Sequence, residues 1–185
     1  LWEWVMSVSL AWVAVQGVAA EELLERAGFV DTGEVDEYFE ADHTGGELAD
    51  GWYVIVTEDA GLLEPAKLAV WSAGGRLVAA VIHEDTETSL AMEWRDGKQV
   101  WSVYHDGTAD EPQLAVEGKL PEVFEQIRRE MTELEAEVAA QGGEFDAAFE
   151  VPLDLAEDIT GFRHDEIGFD DEMPPFTILE RVHVV

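Results

Sequence analysis

Apolar and polar positions alternate in blocks along this chain, and the blocks predict most of its elements. In SVSLAWVAV (7–15), Val8, Leu10 and Trp12 share one side of an extended chain, and Trp12, Val13 and Val15 thicken its far end. That pattern predicts a strand with one buried face and an end covered on both sides. WYVIVTE (52–58) is apolar almost without a break and predicts a central strand. RLVAAVIHE, TSLAMEWR and KQVWSVYH follow as three strand-like runs, joined by DTE and by DG. Asp96-Gly97 signals a two-residue hairpin, because a type I′ turn needs positive φ at both central positions. Its register pairs Arg95 with Lys98, Trp94 with Gln99, Met92 with Trp101 and Leu90 with Val103. Leu90, Met92, Trp94, Trp101 and Val103 are then expected on one face. Ser89, Glu93, Arg95, Lys98, Ser102 and Tyr104 fall on a wetter one. QLAVEG (113–118), EFDAAFEV (144–151) and FTILERVHVV (176–185) read as further strands.

Helical spacing separates these runs. AAEELLERAG (19–28) carries acids in its first turn and ends on Gly28. Residues 62–73 form a second expected helix with Leu63, Ala66 and Val70 inward. A long helix runs from Pro121 to about Ala140, with Phe124, Ile127, Met131, Leu134 and Val138 as one apolar stripe. The stripe suits packing on a sheet or a homodimer seam. A fourth helix is expected from Pro152 to its cap at Gly161. The polar stretch 31–51 reads as a loop or weak edge hairpin, with Gly45-Gly46 as a turn. The expected class is α+β: an antiparallel or mixed sheet of about five to seven strands with helices packed mainly on one face. The chain is expected to be a single domain over residues 1–185, with residues 1–5 an extension ahead of Met6.

Charge narrows the function. The chain of 185 residues has 42 acidic and 10 basic side chains, a formal net charge of −32. Such a surface repels phosphate backbones and anionic headgroups, which argues against direct nucleic-acid or membrane binding. It attracts basic proteins and divalent cations. It also suits a protein adapted to high salt. No cysteine is present, so disulfide and thiolate chemistry are excluded. The apolar N-terminus lacks a basic leader region and the length of a membrane span, so the expected location is cytoplasmic.

No phosphate loop, zinc-protease helix, nucleophile elbow or calcium loop is present. Two constellations remain. If the DTE link closes a tight hairpin, His83 faces Thr88, and Thr88 faces His105 across the next hairpin. Both imidazoles then sit on one face near Glu84 and Asp106, as a metal or acid/base site. The stretch FRHDEIGFDDEMPP (162–175) gathers Arg163, His164, Asp165, Glu166, Asp170 and Asp171, suited to partner contact or to a hard cation. Two functions follow. The first is a bacterial-type binding module for a basic partner, in the manner of an immunity protein, an antitoxin or a nucleic-acid mimic. The second is a small enzyme or ligand-binding domain with a His/carboxylate pocket, with a divalent metal as the compatible cofactor.

Overall fold

The unbroken apolar runs become the middle of a single antiparallel sheet. The computed structural model describes residues 9–109, 114–165 and 175–182. Its strands are β1 (Ser9–Gln16), β2 (Phe29–Val35), β3 (His43–Glu47), β4 (Trp52–Thr57), β5 (Arg76–His83), β6 (Thr88–Arg95), β7 (Lys98–Asp106), β8 (Leu114–Gly118) and β9 (Thr177–Arg181). The helices are α1 (Ala20–Ala27), α2 (Pro65–Trp71), α3 (Phe124–Ala140) and α4 (Ala147–Thr160). The sheet has 9 strands in the order β2-β9-β3-β4-β1-β5-β6-β7-β8. This is the expected α+β mixture with more strands than expected. The expected extension at residues 1–5 lies outside the described residues.

The helices cover both faces, not mainly one. Trp12, Ala14, Val54, Val78 and Ala80 pack with Ile127, Val151 and Leu155 of α3 and α4. Ala11, Val13, Ile55, Leu77 and Ala79 pack with Leu23, Leu68 and Trp71 of α1 and α2. Strands apolar at every position need cover on each side, so the runs themselves demand two helical layers. Each fully buried Leu or Ile contributes about 1.5–3 kcal/mol.

The extra strands are ones that hydrophobicity hides. β3 contains Gly45 and Gly46, which form no turn. A Cβ at Gly46 would stand 2.3 Å from the Phe176 ring, and one at Gly45 would stand 2.7 Å from Tyr53 Oη. The glycines let those rings lie across the strand. The stretch 144–151 is likewise helix and not strand. Asp146 caps α4, accepting from the N–H groups of Ala148 and Phe149, and Pro152 falls inside the helix. On α3 the inward positions include Glu135, which accepts from Ala147 N, while Leu134 is exposed. Val70 on α2 is exposed as well.

One irregularity decides the position of several side chains. Asp96 and Gly97 have φ of 46° and 77°, as a type I′ turn requires. Arg95 pairs with Lys98 and Trp94 with Gln99. A β-bulge then shifts the ladder, so that Glu93 pairs with Trp101 and Ala91 with Val103. Val100 is the additional residue on β7. Trp101 and Val103 therefore face α3 and α4, and Leu90, Met92 and Trp94 face the other way. The bulge brings Trp101 Nε1–H to Glu93 Oε2 at 2.7 Å, which gives a buried carboxylate a donor.

Candidate functional site at the β5–β6 end of the sheet

The strand ends around the β5–β6 turn carry a group of carboxylates. Residues 84–86 make one helical turn, and Glu87 adopts φ 47° to close it, its N–H bonding Glu84 O. Glu84, Asp85 and Glu87 are exposed on this turn. Asp106 pairs with Thr88 directly beside it. The Asp106 carboxylate accepts from the Thr108 hydroxyl at 2.6 Å and from its N–H at 3.0 Å. Those two bonds hold its carboxyl below the usual range.

Four histidines mark the same end. His83 pairs with Thr88 as expected, but Thr88 faces Asp106, and His105 faces Ser89. His83 and His105 therefore lie on opposite faces of the sheet. The bulge at Val100 is the cause, since one added residue reverses every side chain beyond it. A shared imidazole pocket is ruled out. His83 Nδ1 sits 2.7 Å from Ser9 Oγ. His105 is wholly buried, and the polar atom its Nε2 meets is Asp146 Oδ2 at 3.2 Å. Ser89, beside His105, donates its hydroxyl to the Phe149 carbonyl at 2.7 Å, so the pair makes no nucleophile–base couple.

His43 was hidden in the polar stretch 31–51. Its Nε2 accepts from Arg181 Nε at 3.3 Å, so Nδ1 carries the proton and donates to Thr57 Oγ1 at 2.8 Å. Arg181 also donates to Asp59 Oδ2 at 2.5 Å. Burial, with the Arg181 charge, lowers the His43 pKa.

The 162–165 segment turns inward toward this end. The Arg163 guanidinium donates to Glu150 at 2.6 Å, to Asp165 at 2.7 Å and to Asp154. This ties the exit of α4 back onto the outer face of that helix. Burial raises the Asp154 pKa, opposed by Arg163. His164 is largely buried beside Glu84 and Asp165, and burial lowers its pKa. Arg163 and His164 therefore serve the frame, leaving Asp165 half-exposed at the rim. Glu166, Asp170 and Asp171 lie outside the described residues.

Cations collect at the far end. Arg76, Arg95 and Lys98 stand side by side on β5, β6 and β7. Lys119 follows β8 there, its N–H bonding Val100 O. These are four of the chain's 10 basic residues. Seven residue steps separate Arg76 from His83 along β5, roughly 23 Å at about 3.3 Å per step. Basic side chains are thus concentrated at this end, beside Glu93, Asp96 and Glu122, while the exposed β5–β6 turn carries Glu84, Asp85 and Glu87 next to Asp106.

Glu84 and Asp106 lie at one end of the sheet, and Thr88 pairs with Asp106 where His105 was expected. The sequence pattern missed Asp146, whose signal was an Asp directly ahead of Ala147, Val151 and Leu155 at four-residue spacing. It missed Glu93, for which a carboxylate amid apolar strand residues was the signal. Among the described residues, no three His, Asp or Glu side chains converge to hold a metal ion. No described helix is long and apolar enough to cross a membrane. Comparison of the chain with protein-family models, with curated proteins and with solved structures finds no match to any of them.

Proposed function

We propose that the protein is a binding module for a basic partner, which it meets with the end of the sheet formed by Glu84, Asp85, Glu87, Asp106 and Asp165. The observation that carries this reading is the separation, along the strands, of the basic cluster from the exposed carboxylates of the β5–β6 turn. Acidity alone is a statement about solubility and salt tolerance. An acidic rim facing away from a cluster of cations gives the molecule a dipole, which orients a cationic partner before contact. The Debye length near physiological salt is about 8 Å, so each end acts on a partner locally and the two ends do not cancel.

Affinity capture from native extract tests the proposal with three baits. They are the wild-type chain, a rim variant (Glu84→Gln, Asp85→Asn, Glu87→Gln, Asp106→Asn) and a control with the same charge change on α3 (Glu125→Gln, Glu130→Gln, Glu133→Gln, Glu137→Gln). A basic protein held by the wild type and the α3 control but lost by the rim variant bears the reading out. Equal loss in both variants reduces the interaction to net charge and sinks it.

A further inference from the structure

The cationic end has its own chemistry. Arg76, Arg95 and Lys98 are direct cross-strand neighbours, an arrangement of like charges that costs stability unless something sits among them. Glu93 does so from beneath, with its side chain 3 % exposed. It accepts from Arg76 Nε at 2.8 Å, Arg76 Nη2 at 3.2 Å, Arg95 Nε and Trp101 Nε1 at 2.7 Å. That uses both carboxylate oxygens and fixes the planes of the two guanidinium groups. It leaves one terminal nitrogen of Arg76 and both of Arg95 without a bond among the described residues. Lys119 pairs with no carboxylate among those residues either.

Arg76, Arg95 and Lys119 border a recess of about 350 Å³, walled by Trp101, Leu120 and Pro121, with Glu122 also on its border. That volume lies within the range of small-molecule sites, roughly 300–1,000 Å³. Three cations face two carboxylates there, one of them Glu93 with its oxygens already bound. In a chain of net charge −32, this is an inversion of sign with oriented donors. The acidic rim is roughly 23 Å away, nearly three Debye lengths at physiological salt, so it does not oppose an anion here.

We propose that this recess binds a small organic oxyanion, a carboxylate or phosphate group held by the free edges of Arg95 and Arg76 and by the Lys119 ammonium, with its apolar part against Leu120 and Pro121. The fork of a guanidinium suits both groups. Glu93 is the positioning residue.

The test is an NMR titration of the full chain with inorganic phosphate and, separately, with succinate, against chloride at equal ionic strength. The expected result is a saturable shift of the Trp101 indole N–H and the Arg95 Nε–H with at least one anion, absent with chloride. Response to phosphate alone assigns a phosphate ester, response to succinate alone assigns a carboxylate, and response to both assigns the shared oxyanion chemistry. Arg95→Gln weakens binding about tenfold or more, and Lys119→Gln several-fold, with amide shifts elsewhere unchanged. No saturable shift up to about 50 mM, roughly fiftyfold above a millimolar Kd, overturns the proposal. So does binding that survives both substitutions undiminished.

Discussion

Replacing Glu93 by Gln removes one negative charge from beneath three cations and leaves the shape nearly unchanged. The carboxylate is buried and accepts four hydrogen bonds, three of them from guanidinium groups. Gln keeps one acceptor oxygen, enough for Trp101 or for one Arg76 bond, and sets an NH₂ group against an arginine. Breaking a buried charge pair by removing one partner costs about 3–5 kcal/mol. Arg95 is 56 % exposed and recovers part of that in water, so the expected loss is about 3 kcal/mol. For a chain of this length that lowers Tm by about 6–12 °C. The pH dependence gives a second reading. Burial alone would raise the Glu93 pKa, but the bonds from Arg76, Arg95 and Trp101 outweigh it and hold the carboxyl below the usual glutamate range. A depressed carboxyl contributes its full stability above the unfolded pKa and loses it as pH falls through the folded one. The gap between wild type and Glu93→Gln is therefore widest at pH 7 and closes as pH falls through the depressed folded value. Urea unfolding of both proteins from pH 7 to pH 3 measures it. A gap under about 1 kcal/mol at pH 7, or one that does not narrow in acid, refutes the reasoning.

Other substitutions test the packing and the rim. Gly46→Ala drives a methyl into the Phe176 ring and costs about 1–3 kcal/mol by thermal or urea unfolding, with Phe176→Leu restoring part of it. Tyr53→Phe raises stability by about 1 kcal/mol in the same assay. The hydroxyl is buried with no hydrogen-bond partner among the described residues, and burial, then Asp31 and Glu47, push its pKa up to about 12. Asp146→Ala uncaps α4 and costs about 1 kcal/mol, seen as faster amide exchange at Ala148 and Phe149. An NMR pH series is expected to show His43 and His164 titrating below the usual imidazole range. Their unfolded forms bind protons first, so each subtracts stability as pH falls from about 6.5, and a midpoint above that value contradicts the geometry at Arg181 or at Glu84.

The strands visible in the sequence were those whose side chains alone require burial. WYVIVT, RLVAAVI and the Asp96-Gly97 hairpin each carry their own signal, in hydrophobicity or in turn chemistry. β3 carries none, because Gly45 and Gly46 make room for the rings of Tyr53 and Phe176, and β2 is polar along an edge. α4 was misjudged because Pro152 resembles a helix start, although Ala147, Val151 and Leu155 already recur every four residues. The candidate site failed at a single point. The bulge at Val100 goes together with the contact between Trp101 and Glu93, a tertiary hydrogen bond that spacing along one strand does not encode. It moved His105 to the far face and put Asp106 in its place beside Thr88. Glu84 and Asp106 stayed at the rim because a turn's location survives a shift of one residue while the direction of its side chains does not.

The acidic rim is tested most directly by titrating the ¹⁵N-labelled chain with a lysine-rich peptide near physiological salt. The account predicts that the first amides to shift are those of Glu84, Asp85, Glu87, Asp106 and Asp165, with Arg76, Arg95, Lys98 and Lys119 silent until high excess. Shifts spread evenly over α3, β2 and both ends of the sheet would contradict it.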